Sequence, residues 1–325
     1  CAAGLIGDDI EAIARGAGLS CPIAVLDSSG LSGSFADGWD KAACAVLSAF
    51  LPEQRAGQAN AVNLIGVTSA YYNGENDAHE LMRLLALVGY RVNAVLGCDM
   101  SAADLSGLTQ AALNIVVHDE LGGGAARLLA ETCGMPCIAP LPPYSRAGTR
   151  KWLAEIGRVL PAPRADAAEE EITRVTREDF LRINECKSLW GELRYETALI
   201  RAPRSTAWGI AQALRTEWAD VCHLAVAADA EGVPTAAPIA DEILGETDAV
   251  RIRELLNGLD GGLLIGSSNE SAHINPRTAA YFPAAYPVQD ALHLSDAPFM
   301  GLRGARHIEE TLWNDCILRR KILLP

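Results

Sequence analysis

The first residues of the chain place a cysteine before two neighbouring carboxylates. Cys1 precedes an apolar stretch and then Asp8 and Asp9 in the segment CAAGLIGDDI. Acidic residues in this position are typical of a helix start, because they accept hydrogen bonds from free N–H groups and oppose the helix dipole. The pattern predicts a helix over 8–16. Cys1 itself has three interpretations: a packed core thiol, the end of a shortened chain, or a metal ligand.

A second polar group, His118-Asp119-Glu120, follows a predicted strand over 113–117. Ligands in parallel sheets bind beyond the carboxyl ends of the strands, so His118 is the one candidate for a catalytic role. His118 could equally be a structural residue held by hydrogen bonds. Near neutral pH an imidazole can act as a metal ligand, as an acid or as a structural hydrogen-bonding group. The segment SSNESAH, residues 267–273, also follows a predicted strand and is interpreted either as a ligand-binding loop or as a turn.

The nine cysteines do not form the pattern of a disulfide framework. Their odd number and wide spacing in a long acidic chain favour free thiols and a cytoplasmic location. Cys133 and Cys137, in CGMPC, are predicted to lie on either side of a turn that leads into a strand. The motifs GxxxxGK[ST], GxGxxG, HExxH and GxSxG are all absent, which excludes a P-loop ATPase and disfavours a dinucleotide enzyme.

Length and charge narrow the class of protein. The chain has 325 residues, half of them apolar, which is enough for two or three domains. The net charge of −14 disfavours nucleic acid and anionic membranes as partners. No apolar run reaches the roughly 18 residues of a membrane span. The chain does not begin with Met, and its first residues are typical of the middle of a domain.

Strands and helices alternate along two stretches of the sequence, on either side of a charged segment at 162–180. This alternation predicts an α/β fold with two or more doubly wound, Rossmann-like or flavodoxin-like parallel-sheet domains. The strands are expected at 62–67, 91–96, 113–117, 136–140, 196–203, 222–230 and 263–266, and the helices at 76–90, 101–111, 123–134, 205–220, 249–258 and 304–324. The helix at 205–220 is expected to be capped by Ser205 or Thr206.

The opening segment resembles the nitrogenase component 1 family. The likeness rests on Cys1, on Ile6-Gly7-Asp8-Asp9-Ile10 and on the stretch from Gly33-Ser34 to Gly38-Trp39. It continues in LNIVVHDELGGGAARLLAETCGMP, PLPPYSRAGTRKWLAEIG and YPVQDALHLSDAPFMGLRGARHIEETLWN, and so covers most of the chain. The family contains the catalytic subunits of nitrogenase, the paired subunits of its cofactor-assembly scaffold and light-independent porphyrin reductases.

The GSFADGW block is similar to the β-type subunits, including the scaffold's β-like chain. The nitrogenase α subunit holds its cofactor by one cysteine and one histidine. His118 stands at the cysteine position and Met300 about where the histidine would be, so neither α ligand is reproduced. A β-subunit serine near the bridging cluster is matched by Gly30, with Ser28 and Ser29 beside it.

The resemblance implies a cofactor and partners. Cys1 would be the metal ligand, with Ser29 and Gly30 beside an iron–sulfur cluster, 4Fe-4S or larger, that is shared with a homologous α-like subunit. Family chains carry two further cluster cysteines before this one. An ATP-dependent iron–sulfur reductase would deliver the electrons, and the complex would be a heterotetramer. Residues 1–58 would then be the remainder of a cluster-binding domain, 59–160 and 193–325 two Rossmann-like domains, and 161–192 a linker with a helix.

Three functions follow from these observations. The first is a subunit of a nitrogenase-like two-component reductase. The second is a scaffold subunit for nitrogenase cofactor assembly, which holds a precursor without turnover. The third is a cluster-free α/β protein that binds a small ligand, for which no residue gives positive support.

Overall fold

Two separate parallel sheets organise the molecule. The computed structural model describes residues 9–26, 33–50, 57–228 and 239–323. Every strand pair in these residues is parallel. Helices connect the strands, which confirms the predicted class of a doubly wound α/β fold with two sheets.

The first sheet has four strands in the order β2-β1-β3-β4. They are β1 Gln58–Ile65, β2 Arg91–Leu96, β3 Ala111–Val116 and β4 Cys137–Ile138. Its helices are α3 Gly74–Leu87, α4 Ala102–Gly107 and α5 Asp119–Cys133. The chain leaves β1 towards β2 on one side and returns to β3 on the other. The strand order therefore reverses between β1 and β3, where a crevice forms at the carboxyl ends.

The second sheet has five strands in the order β7-β6-β5-β8-β9. They are β5 Arg194–Arg201, β6 Asp220–Ala227, β7 Glu242–Leu244, β8 Leu263–Gly266 and β9 Ala280–Pro283. Its helices are α8 Arg204–Ala213, α9 Ala249–Asn257 and the short α10 Ser268–Ser271. Here the order reverses between β5 and β8. One apolar core of buried side chains runs continuously from the first sheet to the second.

Five further helices surround the sheets. They are α1 Ile10–Gly16, α2 Phe35–Ala49, α6 Ser145–Val159, α7 Ala165–Trp190 and α11 Gly301–Leu323. Asp9 caps α1 by accepting the N–H of Ala12 at 2.8 Å, as predicted for this carboxylate. Ser34 and Asp37 form a reciprocal capping box at the start of α2.

A buried row of amide side chains fixes the register of the first sheet. Asn93 on β2 donates to Asn63 on β1 at 2.9 Å, and Asn63 donates to Asn114 on β3 at 2.8 Å. Asn63 and Asn114 have no exposed surface. A strand that slipped by one residue would leave these amides buried without partners. The row of amides therefore fixes the register of β1 against β3.

Some predicted boundaries were wrong. The helix predicted at 205–220 begins at Arg204, with Pro203 at the N-cap position, where its own side chain forms no capping hydrogen bond, and it ends in a π-helical turn over Leu214–Trp218. Ser205 and Thr206 lie inside its first turn, so neither is the cap. The strands β7 and β9 were not predicted, because such short edge strands give little periodic signal. The helix α2 was not predicted either. Of the tryptophans expected in the core, Trp190 is only partly buried.

Candidate functional site

A cleft of about 300 Å³ lies where the reversal points of the two sheets face each other. Tyr71 follows β1 and Glu120 follows β3, while Arg201 ends β5 and Ser267 follows β8. The N-terminus of α2 closes one side. The remaining lining residues are Ser34, Phe35, Ala36, Asp37, Ala202, Pro203, Arg204, Ala227, Ala228, Gly245, Ile252, Asn269, Glu270, Ala285 and Tyr286. Crevices at such reversal points are the usual ligand sites of α/β sheets.

His118 lies directly beneath the cleft. It is 3% exposed and occupies the N-cap position of α5. Its Nδ1 atom is 2.7 Å from the hydroxyl oxygen of Ser205 on α8. Burial lowers the pKa of His118 to about 3, so the imidazole is neutral at physiological pH.

Glu120 joins the two sheets at the same place. The hydroxyl of Ser205 donates to Glu120 Oε1 at 2.8 Å, and the Ser205 N–H lies 3.3 Å from both carboxylate oxygens. The carboxylate therefore caps α8 from the first turn of α5. Burial raises the pKa of Glu120, and hydrogen bonds from Ser205 and the charge of Arg204 oppose this without cancelling it.

Two glycines allow α5 to approach β1 closely enough to form this arrangement. Gly66, at the end of β1, has φ +79, and a Cβ there would lie 2.4 Å from the His118 carbonyl oxygen. A Cβ on Gly122 of α5 would lie 2.7 Å from the Gly66 nitrogen. Any side chain at either position would displace the start of α5, which carries Glu120 and has His118 at its N-cap position. The Gly122-Gly123-Gly124 run, which lacks phosphate-binding spacing, thus serves helix packing.

Charged groups of both signs surround the opening of the cleft. Arg201 pairs with Glu270 at 3.3 Å, and Arg204 pairs with Asp119. Glu270 also accepts from Ser267, whose hydroxyl caps α10. The polar segment 267–273 therefore contains a short helix as well as cleft residues, and its role in binding stays a prediction.

Aromatic side chains form one rim of the cleft. Phe35 stacks on Tyr286 with ring centroids 4.7 Å apart, and Phe35 also contacts Tyr71 at 6.0 Å. The ring of Tyr71 meets His118 edge to face at 5.6 Å. The buried hydroxyl of Tyr71 has no hydrogen-bond partner within the described residues. A buried polar atom in this state is one that a ligand or water can satisfy.

Met300 lies on a different element from this cleft. It is 1% exposed, and the backbone N–H groups of Phe299 and Met300 donate to Asp77 of α3 at 2.6 and 2.8 Å. Burial raises the pKa of Asp77 to about 7, against the effect of these two hydrogen bonds. The segment before α11 is thereby anchored to α3, and Met300 is a core side chain.

The predicted cluster residues cannot be placed in this geometry. Cys1, Asp8, Ser28, Ser29 and Gly30 lie outside the described residues. Within residues 9–26, 33–50, 57–228 and 239–323, no group of three or more histidine, cysteine or acidic side chains is arranged to hold a metal ion. The cysteines in these ranges are free thiols. Among the helices that the structure describes, none is long and apolar enough to cross a bilayer.

Sequence reasoning found part of the cleft and missed the rest. Ligands were expected beyond the carboxyl ends of the strands, and Tyr71 and Glu120 do line the cleft beyond the ends of β1 and β3. Ser205, Arg201 and Phe35 were not proposed as site residues. A usable signal existed for two of them, because Arg201 lies near the carboxyl end of the predicted strand 196–203 and Ser205 lies just beyond that strand.

Similarity to known proteins extends along almost the whole chain. A family model described as Nitrogenase component 1 type Oxidoreductase matches residues 1–317. One subunit of the light-independent protochlorophyllide reductase of Nostoc punctiforme is 27% identical over 273 residues, which cover 79% of this chain and 52% of that protein. The corresponding subunit from Trichormus variabilis is 27% identical over 284 residues, covering 82% and 54%. This chain thus spans about half the length of these relatives.

Two solved structures of nitrogenase Cp1 share the fold. The structure at pH 5 matches with a TM-score of 0.75 and 19% identity, covering 99% of this chain and 70% of that one. The structure at pH 6.5 matches with a TM-score of 0.76 and 15% identity, covering 100% and 75%. At this level of identity the likeness concerns the fold.

Proposed function

Since the chain belongs to the family of nitrogenase component 1 type oxidoreductases, we propose that it is one subunit of a two-component reductase whose substrate binds in the cleft between the two sheets. The observation that carries this proposal is the position of the cleft. The reversal points of both sheets open into it, and it is lined by Glu120, Arg201, Arg204 and the aromatic rim. Substrate sites typically combine apolar side chains, which bury the ligand, with a few convergent polar groups, which orient it.

The proposed cofactor is an iron–sulfur cluster of the 4Fe-4S type or larger, ligated by Cys1, with Ser29 and Gly30 nearby. Thiolate sulfur is the usual donor for such clusters. One thiolate cannot hold a cluster, so a homologous α-like subunit or further cysteines must supply the other ligands. The cluster would supply electrons singly, after they arrive from an ATP-dependent iron–sulfur reductase. The matched relatives are themselves named as subunits of a reductase, which supports a subunit role.

The chain's own residues would bind and orient the substrate. Arg201 and Arg204 can pair with anionic groups, and Phe35 and Tyr286 offer exposed ring faces. A cytoplasmic location is proposed with this function. The free thiols of the described cysteines are consistent with a reducing compartment.

The test is anaerobic purification of the full-length protein with and without its homologous subunit, followed by iron and acid-labile sulfide analysis. Iron and sulfide that appear only in the complex, and that fall in Cys1→Ala, support the shared cluster. Cys222→Ala, which removes an exposed thiol, is the matched control. Unchanged iron in Cys1→Ala would overturn the proposed ligand. No iron in either preparation would favour the cluster-free binding protein.

A turnover assay separates the reductase from the scaffold. Protochlorophyllide, which the names of the relatives supply, is the first compound to test, with ATP and the iron–sulfur reductase present. Reduction supports the reductase. A complex that carries iron and sulfide but turns over no offered substrate would instead be a scaffold subunit.

A further inference from the structure

We propose that Glu120 is the carboxyl group that gives a proton to the substrate in the cleft, and that His118 and Ser205 are positioning residues that hold it there. The inference rests on the proposed function for the reduction that the proton accompanies. It assigns to His118 a different role from that of an acid.

Of these three hydrogen-bonded residues, the geometry places Glu120 alone at the cleft. Glu120 lines the cleft, whereas His118 and Ser205 do not and are 3% and 6% exposed. The contacts run from His118 Nδ1 to Ser205 Oγ at 2.7 Å, and from Ser205 Oγ to Glu120 Oε1 at 2.8 Å. Ser205 belongs to α8, and the other two residues lie at the start of α5. These hydrogen bonds therefore connect a helix of the first sheet with a helix of the second.

The hydrogen bond from Ser205 to Glu120 assigns the tautomer of His118. The hydroxyl of Ser205 has one proton, which it donates to Glu120. Its oxygen therefore accepts from His118, and Nδ1 of His118 must carry a hydrogen. The pKa of about 3 keeps this imidazole neutral. His118 thus acts as a fixed N–H donor that aims the Ser205 hydroxyl, and it has no extra proton to release at neutral pH.

Glu120 has the properties of a proton donor that its neighbours lack. Burial raises its pKa, so more of the carboxyl is protonated near neutral pH than in an exposed glutamate. Ser205 and Arg204 on α8 oppose the rise. Burial raises the pKa values of Tyr71 and Tyr144, and the charge of Glu120 adds to this. The other charged groups of the cleft are Asp37 on α2, Arg201 at the end of β5 and Glu270 on α10, with Asp119 beside Glu120 on α5.

The protons and electrons of the proposed transfer step are accounted for by Glu120 and the proposed reductant. The O–H bond of protonated Glu120 breaks and its electron pair remains on the oxygen. A new bond to hydrogen forms on the substrate with the electron pair that the iron–sulfur donor has supplied by reduction. The resulting carboxylate keeps its hydrogen bond from Ser205, and water at the open side of the cleft returns the proton.

A purely structural role competes with this assignment, because Glu120 also caps α8. Glu120→Gln separates the two roles. The glutamine keeps the size and the Oε1 acceptor for Ser205, while it cannot release a proton. Under the proposal it lowers kcat by about 100-fold to 10,000-fold with little change in KM, and removes the fall of activity at rising pH that deprotonation of Glu120 causes. Iron content stays as in the wild type.

Infrared spectroscopy of the chain without substrate provides a readout independent of turnover. The carboxyl band of protonated Glu120 is expected to titrate above the ordinary glutamate range and to be missing in Glu120→Gln. Glu270→Gln, which removes another cleft carboxylate, should leave this band in place. Because the Ser205 hydrogen bond lowers the pKa of Glu120, Ser205→Ala should move the titration to still higher pH.

The positioning role of His118 is tested by conservative rescue. His118→Asn retains an N–H near the Nδ1 position and should keep the pH profile, whereas His118→Ala should shift it. A wild-type kcat in Glu120→Gln, with reduction active, overturns the inference. If the wild-type complex shows no reduction, the proposed function fails. The infrared titration still decides the inference in that case, since a Glu120 band in the ordinary glutamate range overturns it.

Discussion

Two buried polar groups of this molecule differ in what they can do. One is the Arg146 cluster, formed by Arg146, Asp179, Glu217 and Glu309. The other is the chain of His118, Ser205 and Glu120. In the cluster, the guanidinium contacts Asp179 and Glu217 at 2.6 Å and Glu309 at 2.9 Å. It joins α6, α7, α11 and the π-helical turn that ends α8.

The contrast lies in charge and in access. The Arg146 cluster is built from direct ion pairs, and its carboxylates contact a cation that is itself 6% exposed. The His118 chain is neutral at its inner end and carries a titratable carboxyl at a cleft. Direct ion pairing fixes helices in place. A neutral hydrogen-bonded chain leaves its terminal carboxyl able to change protonation, which proton transfer needs.

The largest expected effect is on the Arg146 cluster. Arg146→Met removes the cation that pairs with Glu217 and Glu309, while Asp179 keeps its ion pair with Arg306 at 2.8 Å. We expect a loss of about 3–5 kcal/mol in the free energy of unfolding, measured by urea denaturation. Arg174→Met is the control, because Arg174 is half exposed and pairs with Glu171 and Glu178 on its own helix. The control should leave the stability nearly unchanged, because exposed ion pairs contribute little. Equal effects in both variants would contradict a structural role for the cluster.

The next largest effect is expected where the backbone of α5 approaches β1 and positions His118 and Glu120. Gly122→Ala places a methyl group 2.7 Å from the Gly66 nitrogen. We expect a loss of about 1–3 kcal/mol in the free energy of unfolding, because the helix must shift. Gly157→Ala in α6 meets nothing within 4 Å. It should stabilise the protein by about 0.5–1 kcal/mol, since alanine favours helix. A neutral Gly122→Ala would mean that α5 does not approach β1 this closely.

These glycines show why the sequence predicted the fold better than the site. The runs 62–67 and 113–117 and their intervening helices have strong periodicity, so the alternation and the parallel sheets could be predicted. The partner of His118 could not. Ser205 lies 87 residues away and faces His118 only because Gly66 and Gly122 let α5 approach β1. Contacts between sheets depend on packing, which periodicity does not encode. The cluster residues came from the family resemblance alone and stay a prediction.

The pH dependence of stability tests the neutral state of His118. In the unfolded chain this histidine takes up a proton near its ordinary pKa of 6.5, while in the folded chain it does so only at about 3. Stability should therefore fall as the pH falls below 6.5. Between pH 7 and pH 5 the contribution is about 2 kcal/mol. His118→Asn should lose this part of the pH dependence. His273→Asn, at an exposed histidine, should retain it. An unchanged slope in His118→Asn would contradict a neutral buried imidazole.

The smallest expected effect concerns the charge beside Glu120. Arg204 lowers the pKa of Glu120, and its ion pair with Asp119 is partly exposed. Arg204→Gln should therefore change the free energy of unfolding by less than about 1 kcal/mol, yet raise the pKa of Glu120 in the infrared titration. Arg201→Gln removes the other arginine of the cleft, which pairs with Glu270, and should leave the Glu120 titration where it was. A shift in Arg201→Gln as large as in Arg204→Gln would mean that Glu120 responds to the overall charge of the cleft. A shift confined to Arg204→Gln would mean that Glu120 responds to the first turn of α8, which contains Arg204 and Ser205.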